Sequence, residues 1–131
     1  MFLGLNPSTA DAARNDHTIT RCVGYARRWG YGAVSVGNLF GFRATQPQVM
    51  KRAPDPIGPD NDRWLLQLAR EADLVVAIWG NHGLFQNRYA DVLSLVPDLH
   101  CLRTTAKGQP HHVIGLSNQL VPVAYSPSQQ V

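Results

Sequence analysis

The sequence predicts an α/β fold of three layers, α/β/α, with a central, mostly parallel four-stranded sheet. Three observations predict it. Short apolar runs at residues 2–5, 33–39, 73–79 and 99–102 alternate with stretches of helical apolar spacing. The run from Asp73 to Trp79 is continuously apolar after its first residue, which suits a parallel strand buried on both faces. The alternation strand, helix, strand, helix, strand, helix, strand implies right-handed crossovers that cover both faces of the sheet.

Taken in order, Phe2-Leu3-Gly4-Leu5 is an apolar run stopped by Asn6-Pro7, hence a buried strand ending in a loop. A strand that starts at the first residue is expected either to be very short or to continue from residues upstream. Asp16 is expected to cap a helix of about 17–29, with Ile19, Val23, Ala26 and Trp29 at helical spacing and Gly30 at its end. Residues 33–39 read as the second strand. Residues 43–59 hold four prolines and no period, and read as a loop. Pro59-Asp60-Asn61-Asp62 opens a helix with Trp64, Leu65, Leu68 and Ala69 on one face, the aspartates serving as caps. After the strand at 73–79 come the turn Gly80-Asn81-His82-Gly83 and a helix of about 86–96 with Tyr89, Val92, Leu93 and Val96 inward. Leu99–Leu102 is the fourth strand, 104–118 a polar loop, and 126–131 a flexible tail.

Composition bounds the class. The 131 residues are one domain's worth, expected over 1–125. At 44% hydrophobic and 16% charged, the chain is globular in type. No apolar run approaches the ~18 residues of a membrane span and no signal peptide is evident, so no membrane partner is expected and the compartment reads as cytoplasmic. Two cysteines, Cys22 and Cys101, make no disulfide framework; both sit in predicted elements and read as core. Net charge is +3, with the basic excess in residues 1–66, which carry eight Lys/Arg against five Asp/Glu. That balance permits a nucleic-acid partner without requiring one. A monomer is expected.

In parallel open sheets, sites form beyond the carboxyl ends of the strands. Four loops lie there, carrying Asn6-Pro7-Ser8, Asn38-Leu39-Phe40, Asn81-His82 and Gln109-Pro110-His111-His112. Asn offers a donor and an acceptor, enough to read a base edge or hold a water, although it also favours turns. Phe40 and Phe42 are candidates either to stack on a flat ring or to pack beneath the long loop. His112 is a candidate donor or acid near a leaving anion, against an ordinary surface histidine. Adjacent histidines on an extended chain point opposite ways, and no zinc-ligand spacing occurs, so no metal and no cofactor is expected. Neither a nucleophile elbow nor a phosphate-binding loop of the P-loop type is present.

The words Leu5-Asn6-Pro7-Ser8-Thr9-Ala10-Asp11, Arg27-Arg28-Trp29-Gly30-Tyr31, Asn38-Leu39-Phe40, Asp55-Pro56-Ile57-Gly58-Pro59 and Trp79-Gly80-Asn81-His82-Gly83 resemble a family of uncharacterised bacterial and phage domains, domain of unknown function 1643. That resemblance covers nearly the whole chain and implies no established activity. A weaker one links the same strand ends to the uracil-DNA glycosylase superfamily. Gly4-Leu5-Asn6-Pro7-Ser8 is similar to the G-I-N-P-G motif, whose Asn positions the attacking water. Val36-Gly37-Asn38 resembles the strand end that reads the uracil edge, and Ile78-Trp79-Gly80 resembles L-W-G. His112-Val113-Ile114-Gly115-Leu116-Ser117 has the spacing of H-P-S-P-L-S, in which His stabilises the departing base and Leu plugs the vacated stack. Val113 and Gly115 replace both prolines, Ser8 replaces a Gly, and Asp11 is only a loose substitute for the acidic water activator.

The resemblance implies a uracil-DNA glycosylase-like fold and a hydrolase of a base–sugar bond. Asn6 and His112 would be catalytic. Pro7, Ser8, Asn38, Phe40, Asn81, His82, Leu116 and Ser117 would bind substrate. The alternative is a module that binds a nucleotide or nucleic acid without cleaving it.

Overall fold

The structure is a computed structural model describing residues 1–8 and 12–126, with side chains described for all of these except 12–16. Its sheet has five strands in the order β2-β1-β3-β4-β5. These are β1 (Phe2–Gly4), β2 (Val36–Asn38), β3 (Val75–Ala77), β4 (Leu99–Cys101) and β5 (Val123–Ala124). The first four are mutually parallel; β5 runs antiparallel to β4, pairing His100 with Ala124 and Cys101 with Val123. The expected four-stranded sheet is therefore corrected to five. β5 has two residues, both exposed, and so lacks the apolar run that marks a strand in sequence.

The helices are α1 (Ala12–Arg28), α2 (Pro47–Lys51), α3 (Asn61–Glu71) and α4 (Arg88–Leu95), with a 3-10 stretch over Asn81–Asn87. Strand alternation sorts the core into two layers. Leu3, Val75, Ala77, Leu99 and Cys101 pack with Leu65 of α3 and Val92 of α4. Phe2, Val76 and Ile78 pack with Cys22 and Tyr25 of α1. One helix on one face and two on the other is what right-handed crossovers in opposite directions produce. Among the described residues no helix is long and apolar enough to cross a membrane.

Several element expectations change. α1 begins at Ala12, so Asp16 lies inside it and is not its cap. Its buried stripe is Cys22, Tyr25 and Ala26, continued by partly buried Trp29 just past the helix end, and Ile19 is 44% exposed. Neither Asp60 nor Asp62 caps α3. Asp60 occupies the N-cap position without a side-chain cap bond and pairs with Arg63 at 3.7 Å. Asp62 pairs with Arg88 at 2.6 Å. Trp64 faces outward at 51% exposure while Leu65 takes the core position. The loop at 43–59 contains α2, started by Pro47 where a missing N–H costs nothing. Both cysteines are buried, as expected.

Candidate functional site

The strand order sets the place of the candidate site. The chain leaves β1 for β2 on one side, then returns past β1 to β3 on the other. The carboxyl ends of β1 and β3 therefore lie side by side at a topological switch point. Asn6-Pro7-Ser8 leaves the first and Gly80-Asn81-His82 the second.

Asn6 works as a clamp. Its Nδ2 donates to the carbonyls of Pro7, Phe42 and Ala44 at 3.1, 3.2 and 2.9 Å. These bonds tie the β1 exit to the loop after β2, and the Asn6 carbonyl oxygen takes no part in them. The Pro7 carbonyl also accepts from Ala44 N at 2.9 Å. Ser8 Oγ is buried without a partner among the described residues, while the Ser8 carbonyl accepts from Arg43 at 2.9 Å. Asp11 lies outside the described residues.

Asn38 pairs with Gly4 in the parallel ladder, and its amide lies over that glycine. A Cβ on Gly4 would stand 2.9 Å from Asn38 Oδ1, so the glycine is what lets the amide occupy this place. The backbone beneath it is braced by two residues not anticipated from sequence. Asn61 Nδ2 donates to the carbonyls of Asn38 and Leu39, each at 2.9 Å. Arg88, 1% exposed, donates from Nε to the Leu39 carbonyl at 2.8 Å. Asn61 stood in a helix-opening word and Arg88 at a helix start, and neither position signals burial. Phe40 is corrected: it is 0% exposed and packs on Phe85 at 5.7 Å, so its ring has no face to offer a ligand. Phe42 is 40% exposed.

The segment after β4 folds over the β3 end. His111 N donates to Arg103 O at 2.7 Å, closing a turn over 103–111, and Gly80 N donates to Pro110 O at 2.8 Å. Buried Trp79 Nε1 donates to buried Gln109 Oε1 at 2.9 Å. Asn81 Oδ1 accepts from Thr105 Oγ1 at 2.6 Å. The chain then crosses to α1. Tyr25 OH donates to Ser117 O at 2.7 Å, Trp29 Nε1 to Leu120 O at 3.1 Å, and Arg21 and Arg28 bond the carbonyls of Leu116 and Asn118. Leu116 is 5% exposed in the α1 layer, so it is not a side chain free to enter a base stack; Ile114, at 45%, projects instead. Ser117 Oγ accepts from Gln119 N at 3.1 Å and shapes its own turn.

The structure thus aligns Asn6, Asn38, Asn81, His82 and His112 along one edge of the sheet. It does not enclose them in one cavity. An open groove of about 510 Å³ lies between α1 and the 114–115 turn, lined by His17, Thr20, Arg21, Ile114 and Gly115. Another of about 410 Å³ lies at the opposite, amino edge, around Trp29, Val34 and Leu74. Neither contains Asn6, Asn38 or His112. Among the described residues no three His, Cys, Asp or Glu are arranged to hold a metal ion.

The sequence pattern of a family described as protein of unknown function (DUF1643) matches residues 1–113. The chain belongs to the DUF1643 family. No curated protein and no solved structure matches it.

In this DUF1643 domain the electrostatics of the edge follow from burial. His112 is held below its ordinary value of 6.5 by desolvation and then by neighbouring His111. Ile114 N donates to His112 Nδ1 at 3.1 Å, which requires that nitrogen to be unprotonated. The neutral ring therefore carries its proton on Nε2 and is a hydrogen-bond donor there. His82 is also held below 6.5, by burial first and then by the charges of Lys51 and Lys107. The thiols are silent: burial pushes Cys22 up to about 12 and also raises Cys101.

Proposed function

We propose that this DUF1643 domain recognises a nucleobase at the carboxyl edge of its sheet and hydrolyses a base–sugar bond there, in the manner of a uracil-DNA glycosylase-like enzyme. The observation that carries the reading is the tautomer of His112. A neutral imidazole presenting Nε2–H suits an oxyanion forming on a departing base, because a preorganised donor gains strength as charge develops. Asn38, whose amide sits over Gly4 at the strand end, is the reader of the base edge. The Asn6 carbonyl oxygen orients the water, its amide nitrogen being tied down by the loop.

In the reaction, the water oxygen bonds to the sugar C1′ and the C1′–N bond breaks. The bonding pair leaves with the base, held by His112 Nε2–H, and the proton released by the water ends on the base or in solvent. A base in duplex would first leave its stack.

The test uses single-stranded and duplex DNA carrying uracil, mismatched or damaged bases, assayed for abasic sites by alkaline strand release. Product is expected with the wild type. In His112→Ala the rate should fall by about 10²–10³, the loss typical of one oxyanion donor. Asn6→Ala should lose activity as well.

A second reading, a module that binds a nucleotide or nucleic acid without cleaving it, is favoured by one observation. The Asn6 amide is engaged by three backbone carbonyls, which is the work of a structural clamp. Tight binding with no abasic product in the same assay would select it.

A further inference from the structure

We propose that Lys51, His82 and Lys107 form a phosphate subsite beside the β3 exit, separate from the residues that would read a base. The three side chains, two cationic and one titratable, come from different elements: the end of α2, the 3-10 stretch after β3 and the turn at 103–111. Lys51 and the turn that carries Lys107 are both tied to this 3-10 stretch. Lys51 Nζ sits 5.4 Å from the centroid of Phe85, in the same 3-10 stretch as His82. Thr105 Oγ1 bonds Asn81, next to His82, and also accepts from Lys107 N at 3.2 Å, so the turn bearing Lys107 is fastened to this stretch.

Two lysine charges acting on one histidine disfavour its protonated form unless an anion offsets them. Among the described residues the salt bridges are Arg63–Asp60 and Arg88–Asp62, and neither lysine joins them. The charges acting on His82 are both cations, and they hold it towards its neutral form. A phosphate reverses this balance. It accepts hydrogen bonds from both ammonium groups and favours the protonated imidazole. The β3 exit lies at the switch point of the strand order, where phosphate-bearing ligands meet sheets of this type. The anion is either the phosphate of a mononucleotide or a phosphodiester of a strand; both present anionic non-bridging phosphoryl oxygens that accept from lysine.

The experiment follows the imidazole resonances of the full chain by NMR while titrating inorganic phosphate, a nucleoside, its 5′-monophosphate and a short single strand. With inorganic phosphate, the His82 resonances are expected to move, and its titration to shift to higher pH, by more than those of any other histidine. Lys51→Ala/Lys107→Ala should weaken phosphate and monophosphate binding about tenfold or more, as expected for two lost charge-assisted bonds. Arg70→Ala, on the far part of α3, should leave both unchanged. If the ligand is a strand, the salt dependence of binding should flatten by about 0.7 in log–log slope per lysine removed. If a mononucleotide, the monophosphate should bind as tightly as the strand. Unchanged phosphate affinity in the double lysine variant, or equal shifts at all histidines, would overturn the subsite.

The base-reading proposal fails separately. In that case the nucleoside does not bind, Asn38→Ala changes nothing, and phosphate still reports on His82.

Discussion

At His112 the proton that matters is on Nε2, because Nδ1 is occupied in accepting the Ile114 N–H at 3.1 Å. The folded-state value lies below the ordinary 6.5, so between the two values the unfolded chain binds the proton and the folded chain does not. Stability from this group is complete above 6.5 and declines as pH falls through that window. The donor form likewise survives to a pH below 6.5 and is lost only on further acidification, together with the Ile114 bond. Imidazole nitrogen shifts followed against pH should report an Nε2–H tautomer at neutral pH and a His112 midpoint below 6.5. A midpoint at or above 6.5 would contradict it. Gly4→Ala probes Asn38 from below. The new Cβ would stand 2.9 Å from Asn38 Oδ1, so the amide must turn away while the ladder to β2 persists. Ligand binding by the edge should be lost with only a modest change in melting temperature; unaltered binding of every base and nucleotide the wild type binds would remove Asn38 from the site. The positions of Asn6 and Asn38 at the ends of β1 and β2, and of His112 in the loop after β4, were legible in sequence because strand runs and turn residues are local signals. Their partners were not, because an Asn that clamps Phe42 and Ala44 across 36 and 38 residues looks the same in sequence as one that binds a ligand.

Elements are held at this edge by buried polar struts. Arg88 of α4, 2% exposed in its side chain, reaches Asp62 of α3 at 2.6 Å and the Leu39 carbonyl after β2, joining three elements through one guanidinium. Asp62→Ala would leave that guanidinium without its carboxylate. A buried charge losing its partner costs several kcal/mol; since Asp62 is 56% exposed, a value near the lower end, about 3 kcal/mol, is expected from urea denaturation. A loss under about 0.5 kcal/mol, the scale of an exposed pair, would show the strut to be unimportant. At the β3 exit, Gly83 lies against the Trp79 indole so closely that a Cβ would fall 2.2 Å from its Cδ1. Gly83→Ala should overpack this corner by about 1–3 kcal/mol and disturb the Trp79–Gln109 bond, measurable as a fluorescence change. The helices α3 and α4 and the strands β3 and β4 were readable from periodicity and apolar runs. Arg88, α2 and β5 were not. A buried Arg carries no apolar signal, a five-residue helix shows too little period, and a two-residue strand exists only because β4 offers its edge.

The whole molecule is a sheet with two cores that share its strands, and each core holds one thiol. Cys22 of α1 is 0% exposed on one face, and Cys101 of β4 is 1% exposed on the other. Burial raises both, Cys22 to about 12, so neither is a thiolate near neutral pH even if reagent arrives. Labelling therefore requires the fold to open. The two layers should not open independently. Phe2 and Leu3 are neighbours in one strand yet belong to opposite cores, as are Val76 and Ala77, so losing either layer exposes the sheet that the other needs. The α1 layer is further fastened across the β4 side by Tyr25 and Trp29, which bond Ser117 and Leu120. For a fold of ordinary stability, ~5–15 kcal/mol, the open population in water is below about one molecule in a thousand. Thiol modification of the native protein should then be slow at both positions. Measured separately in Cys22→Ala and Cys101→Ala, labelling should rise with urea at one shared midpoint that coincides with the loss of circular dichroism. A Cys22 that labels at lower urea than Cys101 would mean that α1 detaches as a unit of its own. The edge built from the β1, β3 and β4 exits would then outlast the layer that closes one side of it.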